Sequence, residues 1–115
     1  IAAGMASAFD VEIRVNIVGG YPVLLNDKRL TNKIAIAAED LIGKENVEKL
    51  AIRMSAEDFS YYSQKMPACF FRLGVRNEAK GITYPVHHPK FDADEEAVRY
   101  GALSLSYFAG LLLDN

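Results

Sequence analysis

The sequence predicts an α/β fold from three patterns. Apolar and polar residues alternate near the N-terminus, a short apolar run follows two helical segments, and the C-terminal segment repeats at helical spacing. After residue 30 the predicted order is helix, helix, strand, loop, helix. This order is typical of part of a layered α/β domain, although it contains too few strands to form a sheet by itself.

The N-terminal segment combines the end of a helix with one strand. Residues 1–8 are small and mostly apolar, and they read as the last turns of a helix already under way. The next apolar residues fall at every second position: Phe9, Val11, Ile13, Val15 and Ile17. This spacing predicts a strand with one buried face. Since nothing else in the chain alternates in this way, we expect its partner strands to lie in another chain or to be missing, and the chain to be a fragment.

Three helices are predicted after a boundary at about residues 19–26. The first is capped by Thr31, runs through Leu41 and stops at Gly43. The second follows a capping-box sequence at residues 55–58 and ends at Pro67, with Phe59, Tyr62 and Met66 on its buried side. The third begins at about Asp94, and its predicted buried face consists of Val98, Gly101, Ala102, Leu105, Phe108, Ala109 and Leu112.

Residues 69–75 form a nearly continuous apolar run, which is typical of a strand covered on both faces by helices. Gly101 and Ala102 would allow the last helix to approach such a sheet closely. Cys69 lies in this run without a neighbouring charge to activate its thiol, so we interpret it as a small buried apolar residue.

Composition excludes several classes of protein. The chain has 115 residues and a net charge of -2. It has no basic cluster longer than residues 27–29, so the charge distribution does not predict nucleic-acid binding. No apolar run is long enough to span a membrane. One cysteine permits no internal disulfide and gives no sign of an oxidising compartment, and we expect a cytoplasmic protein.

The two histidines, His87 and His88, lie side by side between Pro85 and Pro89. Each proline restricts its own backbone and that of the preceding residue, so an extended or turn-like loop is predicted. Neighbouring side chains in extended backbone point to opposite sides, so at most one histidine would face a given site. Either a hydrogen-bonded loop or a catalytic or metal site is compatible with this pattern.

A complete metal site is not expected from this chain alone, because zinc takes three or four protein ligands. Asp92 and Glu95 have the spacing of a capping pair, and Asp94 and Glu95 are better explained as cap and charge of the last helix. Glu57 and Asp58 are a second acidic pair, which could either cap a helix or face a cleft.

Three motifs occur in order and carry a resemblance to a known family. They are Met54 to Phe59, Phe70 to Gly74 after Pro67, and His87 to Asp92 followed by Asp94 and Glu95. The residues Tyr21 to Val23 with Asn26 and Asp27 add to them. Together they resemble the zinc-dependent amidohydrolases of the aminoacylase superfamily. The branch is that of hippurate hydrolases, N-acyl-amino-acid amidohydrolases and plant auxin-conjugate hydrolases.

The resemblance implies a particular domain organisation. Family members have a helix-covered mixed-sheet catalytic domain that is interrupted by a smaller α+β lid or dimerisation domain. Residues 1–20 would be a remnant of the lid domain, contributing its last helix and strand. Residues 21–115 would be the C-terminal part of the catalytic domain. The full-length protein would form a homodimer through the lid.

The resemblance also implies a site with two divalent metal ions, zinc or manganese. His87 matches a histidine that binds one of them, whereas His88 matches a position where relatives carry serine. Glu57 and Asp58 match an acidic pair near the active-site floor and are candidates to line it. The other ligands and a glutamate general base belong to the N-terminal part of family members.

The function implied is therefore hydrolysis of the amide bond of an N-acyl amino acid or a similar small conjugate, with this fragment inactive by itself. The alternative is a non-catalytic α/β binding or oligomerisation module. In that case the unpaired segment at residues 9–17 would pair with another chain, as exposed apolar edges tend to do.

Overall fold

A computed structural model describes residues 1–113, whose regular structure is helical. The helices are α1 (Ala2–Phe9), α2 (Lys28–Ile42), the single turn α3 (Ser60–Ser63) and α4 (Glu96–Leu113), with a 3-10 turn at Lys44–Asn46. The one bridge between extended segments in this range joins Asn77 and Ile82 in antiparallel fashion. None of the helices in residues 1–113 is long and apolar enough to cross a bilayer. The last two positions of the predicted domain 21–115 lie outside the described residues.

The core lies where α4 crosses α2. Ile34 and Ala37 of α2 and Phe108 of α4 are buried together, with Cys69 and Leu111 packed partly against them. The ring of Phe71 meets Phe108 edge to face, with centroids 5.7 Å apart. Residues 68–71 are thus held beside the two helices by apolar contact. Cys69, which was predicted to be a small buried apolar residue, packs against this cluster but is only half-buried.

Helix α2 starts three residues before the predicted cap. Asp27 is the N-cap, and its carboxylate accepts the backbone N–H of Leu30 at 2.7 Å. Thr31 lies inside the first turn instead. Asp and Thr are both good caps, but the backbone N–H of Asp27 is also fixed by the carbonyl of Ala68, at 2.8 Å. The predicted stop at Gly43 is confirmed, and its φ of +88° is one that glycine adopts without strain.

Helix α4 is confirmed, and its predicted buried face is correct at Phe108 but wrong at most of the other predicted positions. Ala97, Ser104 and Phe108 are buried, and Gly101 and Leu111 are half-buried. Val98 and Leu105, which were predicted to be buried, are 72% and 61% exposed. The helix is apolar on most sides, so its spacing is compatible with more than one face. Gly101 was predicted correctly as a close-contact residue, because a β-carbon there would lie 3.1 Å from Leu73 Cδ2.

The predicted strands are not formed within residues 1–113. Neither residues 9–17 nor residues 69–75 pair with a neighbouring strand, and the predicted mixed sheet is therefore not observed. Every apolar residue of the alternating row is exposed, from 41% at Ile13 to 87% at Ile17. A strand is stabilised by hydrogen bonds to a neighbour, and an isolated segment has none.

The predicted helix at residues 55–67 is reduced to the single turn of α3. Phe59 is half-buried and its ring contacts Phe70, with centroids 5.5 Å apart. Tyr62 and Met66 are exposed, contrary to prediction. One turn of helix is not favoured without packing, and α3 is not among the helices that form the core.

Asn26 acts as a substitute for a neighbouring strand beside residues 68–70. Its side-chain Nδ2–H donates to the carbonyl of Phe70, and its Oδ1 accepts the N–H of the same residue, both at 2.8 Å. This pair of bonds reproduces what a strand would offer. It joins the segment before α2 to the segment that packs against α4.

Replacing Asn26 tests this junction. Asn26→Ala removes two hydrogen bonds at an exposed site and should lower the free energy of unfolding by about 1 kcal/mol. Asn26→Asp should cost more, because a carboxylate oxygen would face the Phe70 carbonyl. Urea denaturation measures both. Asn32→Ala, at an exposed position of α2, is the matched control and should stay within about 0.5 kcal/mol of the parent. Equal midpoints for Asn26→Ala and Asn32→Ala would contradict the role of Asn26.

Two glycines of α4 test the close contact with Leu73. Alanine favours a helix over glycine by about 1 kcal/mol. Gly110→Ala should show most of this gain, because no atom lies within 4 Å of the added β-carbon. Gly101→Ala should gain less, because Leu73 has to move. An equal rise of the unfolding midpoint in both variants would exclude the close contact.

Candidate functional site

The histidine segment folds as two consecutive turns. The N–H of His88 donates to the carbonyl of Pro85 at 3.1 Å, and the N–H of Phe91 donates to the carbonyl of His88 at 2.9 Å. This agrees with the predicted turn-like loop. His87 is the third residue of the first turn and has a φ of +72°. A positive φ at the third position is typical of a type II turn, where glycine or asparagine is usual.

The two histidines have different surroundings. The imidazole of His88 stacks on the ring of Tyr84, with centroids 4.2 Å apart and planes 12° apart. Its Nδ1 accepts the backbone N–H of Lys90 at 3.1 Å. Lys90 Nζ lies 5.8 Å from the centroid of Tyr84. One ring nitrogen of His88 is therefore already occupied by a hydrogen bond within its own loop.

The side chain of His87 is exposed, and within residues 1–113 it makes no hydrogen bond or ring contact. Both ring nitrogens are thus available, and neutral imidazole is a common ligand of zinc and other divalent metals. The chemistry of His87 fits one position in a metal site. Within the described part of the chain no three His, Cys, Asp or Glu side chains come close enough to hold a metal ion.

The candidates Glu57 and Asp58 lie just before α3. An oxygen of Glu57 accepts the backbone N–H of Phe59 at 3.3 Å, and the carbonyl of Asp58 accepts the N–H of Tyr61 at 3.0 Å. Asp58 is exposed and Glu57 is half-buried. Their contacts are those of a local helix start, which was one of the two predicted roles.

Asp94 anchors the C-terminal end of the histidine segment, and it is only 8% exposed. One carboxylate oxygen accepts Lys80 Nζ at 2.5 Å, and the other accepts the side-chain amide of Asn77. The backbone N–H of Asp94 donates to the carbonyl of Val75 at 2.9 Å. Asp94 also accepts the N–H of Glu96 at 3.3 Å, at the start of α4. Its predicted role as a cap is confirmed, but its bonds to the loop at residues 76–81 were missed.

Asn77 and Lys80 belong to a tight hairpin-like loop. The backbones of Asn77 and Ile82 exchange two hydrogen bonds, of 2.8 and 2.9 Å, and Gly81 takes a φ of +73°. Asparagine and glycine, which lie at the two ends of this polar loop, are residues that favour turns. Nothing in the sequence indicated which acidic residue Asn77 and Lys80 would contact.

The contacts of Asp94 shift the ionisation of both partners. The hydrogen bond from Lys80, followed by that from Asn77, holds the pKa of Asp94 below its ordinary value of 3.8. The same bond raises the pKa of Lys80 above 10.5, and the nearby charges of Asp94, Glu96 and Glu95 add to this effect. The pair is therefore charged across the whole neutral range.

Residues 4–110 match the family described as Peptidase family M20/M25/M40. The chain belongs to this family. It is 32% identical over 110 residues to a Synechocystis protein named a probable hydrolase, covering 95% of this chain and 28% of that protein. It is 36% identical over 89 residues to thermostable carboxypeptidase 2 of Saccharolobus solfataricus, covering 77% of this chain and 22% of the relative. It is 35% identical over 82 residues to an IAA-amino acid hydrolase of Arabidopsis thaliana, covering 71% and 19%.

The chain thus spans between 19% and 28% of the length of these relatives. The expected resemblance to amidohydrolases is confirmed at the level of the family. No solved structure matches the chain.

The Asp94–Lys80 pair predicts how stability depends on pH. The pKa of Asp94 is lowered on folding, so its contribution is complete above pH 3.8 and is lost as the pH falls through the folded value. The pKa of Lys80 is raised on folding, so its contribution is complete below pH 10.5 and is lost as the pH rises through the folded value. Urea midpoints measured from pH 2 to 12 should show both losses. In Asp94→Asn the difference from the parent should shrink at both extremes. A difference that is constant with pH would contradict the pairing.

Proposed function

We propose that this chain is the C-terminal part of a metal-dependent amidohydrolase that cleaves the amide bond of an N-acyl amino acid or a similar small conjugate. Membership of the peptidase family supports hydrolysis of an amide or peptide bond. The Arabidopsis relative is named for an acyl amino acid substrate, which supports the narrower class. The coverage of relatives by less than a third of their length supports a longer parent protein.

His87 is the ligand that this chain contributes. The observation that carries the assignment is the contrast between the two histidines. His88 is stacked and hydrogen-bonded within the loop, whereas His87 stands exposed, without a partner in residues 1–113, on a turn fixed by its neighbours. An imidazole presented in this way can bind a metal ion with little rearrangement, which favours binding.

The proposal includes a divalent metal centre, with two ions of zinc or manganese in the full-length enzyme. Such an ion would polarise the substrate carbonyl and lower the pKa of a bound water. Residues supplied by the rest of the protein would complete the ligand set. Glu57 and Asp58 would line the active site.

The domain assignment is part of the same proposal. Residues 1–20 would belong to a lid domain that mediates homodimer formation, and residues 21–115 to the catalytic domain of a cytoplasmic enzyme. The exposed alternating row at residues 9–17 is the surface that a lid sheet would cover. The same exposed row also favours the alternative of a non-catalytic module whose strand pairs with another chain.

His87→Ala in the full-length protein tests the assignment. Metal content, measured by mass spectrometry of the purified protein, should fall, because one ligand is lost. Hydrolysis of N-acyl amino acids should fall by more than about 100-fold, since even the residues that support metal ligands contribute 10–100-fold.

His88→Ser is the matched control and should keep both metal and activity. A His87→Ala protein with full metal and full activity would refute the ligand assignment. A parent protein that carries no metal and hydrolyses no amide would favour the non-catalytic alternative.

A further inference from the structure

The segment that carries His87 is closed at its base by one side chain. Residues 83–93 leave the hairpin-like loop at Ile82 and return to it at Asp94. There the carboxylate holds Lys80 and Asn77, and the backbone N–H holds Val75. The two ends of the segment are thus fixed to each other beside the N-terminal end of α4.

The carboxylate does more than cap the helix. Its bond to the cap position, the N–H of Glu96, is 3.3 Å long, whereas its bond to Lys80 Nζ is 2.5 Å. A simple N-cap would need the first contact alone. The shorter, charge-assisted contact runs across to the loop at residues 77–80. The geometry of Asp94 is therefore that of a clamp between this loop and α4.

The backbone conformation of His87 requires support from the structure around it. His87 is a non-glycine residue with a φ of +72°, a conformation that persists only where the surroundings fix it. The turns around it are stabilised by two backbone bonds, from His88 to Pro85 and from Phe91 to His88. Fixed ends reduce the alternative conformations available to the loop, which favours these turns.

We propose that Asp94, through Lys80 and Asn77, is a positioning residue that holds the His87 turn in its ligand-presenting conformation. The inference rests on the assignment of His87 under the proposed function. The side chain of Asp94 makes its hydrogen bonds to Asn77, Lys80 and the N–H of Glu96 and none to His87, so it acts through the backbone of residues 83–93.

Hydrogen exchange of the full chain, labelled with ¹⁵N, measures the effect directly. In Asp94→Asn, exchange of the His88 and Phe91 amides should rise by about tenfold, because the charged bond to Lys80 is lost. The amides of Ile34 and Ala37 in α2 report on the core and should be unchanged. Glu95→Gln is the matched control, because it removes a neighbouring carboxylate that makes no side-chain hydrogen bond in residues 1–113. Unchanged exchange of His88 and Phe91 in Asp94→Asn overturns the inference.

Lys80 supplies a second test that leaves the helix cap intact. Lys80→Met should reproduce the faster exchange at His88 and Phe91, and Lys80→Arg should restore most of the protection. In the double variant Asp94→Asn/Lys80→Met, exchange of the two amides should be little faster than in either single variant. Both substitutions disrupt the same Asp94–Lys80 bond, so their effects should not add. If Lys80→Met leaves the two amides protected, Asp94 is a helix cap only and the positioning role is wrong.

The metal affinity of the full-length protein separates this inference from the proposed function. Titration with Zn²⁺ alone should show affinity about 10–100-fold weaker in Asp94→Asn than in Glu95→Gln. Faster loop exchange in Asp94→Asn combined with full metal binding by His87→Ala would refute His87 as ligand while leaving the clamp in place. Equal zinc affinity in Asp94→Asn and Glu95→Gln, in a protein where His87→Ala has lost its metal, would overturn the positioning role.

Discussion

The contact of Phe108 with Ile34 and Ala37 fixes α4 against α2, and the remaining structure is arranged around it. Burial of an aromatic side chain of this kind contributes about 1.5–3 kcal/mol. Phe71 and Cys69 pack beside the same cluster, so residues 68–71 follow the two helices. The N-terminal end of α4 then lies beside residues 75–80, where Asp94 forms its bonds. The polar contacts of Asp94, at the start of α4, therefore depend on the apolar contact of Phe108 near the C-terminal end of the same helix.

This core is small for the composition of the chain. Half of the residues are hydrophobic, yet the buried apolar residues among positions 1–113 are Ile34, Ala37, Ala68, Ala97 and Phe108. The radius of gyration is 20.8 Å, compared with about 13 Å for a compact domain of this length. Apolar surface in solution is unfavourable in proportion to its area. The exposed rows at residues 9–17 and along Val98 and Leu105 are thus unfavourable apolar surfaces, in a chain whose match covers 28% of the Synechocystis relative.

The sequence predicted the features that depend on local rules. It predicted α4, the stop of α2 at Gly43 and the turn-like histidine segment, because caps, glycines and prolines act on their own neighbours. It predicted Thr31 as the cap of α2 where the structure has Asp27, whose backbone N–H is fixed by a bond to Ala68, 41 positions away. The predicted buried face of α4 was correct at Phe108 but wrong at Val98 and Leu105, for a related reason. Several faces of α4 are apolar, and the contacts with α2 and Leu73 determine which of them is buried.

The strand predictions were wrong because strand formation depends on more than the local sequence. Alternation at residues 9–17 and the apolar run at residues 69–75 describe surfaces that suit a sheet, but a sheet also needs neighbouring strands, which residues 1–113 do not supply. Where one side chain can replace a neighbour, as Asn26 does for Phe70, the segment is fixed without forming a strand. Where none can, as at residues 9–17, the alternating residues remain exposed.

The two histidines could not be distinguished in the sequence because each is flanked by a proline within two residues. Their difference arises from one backbone angle. With φ at +72°, His87 turns the chain so that the next residue can stack on Tyr84 and accept the N–H of Lys90. The contacts of His88 therefore stabilise the conformation in which His87 is left free. A His88→Ser variant would lack this stacking, so the conformation would then need a second source of stability. The clamp at Asp94, which closes the loop from outside, is such a source and does not depend on the residue at position 88.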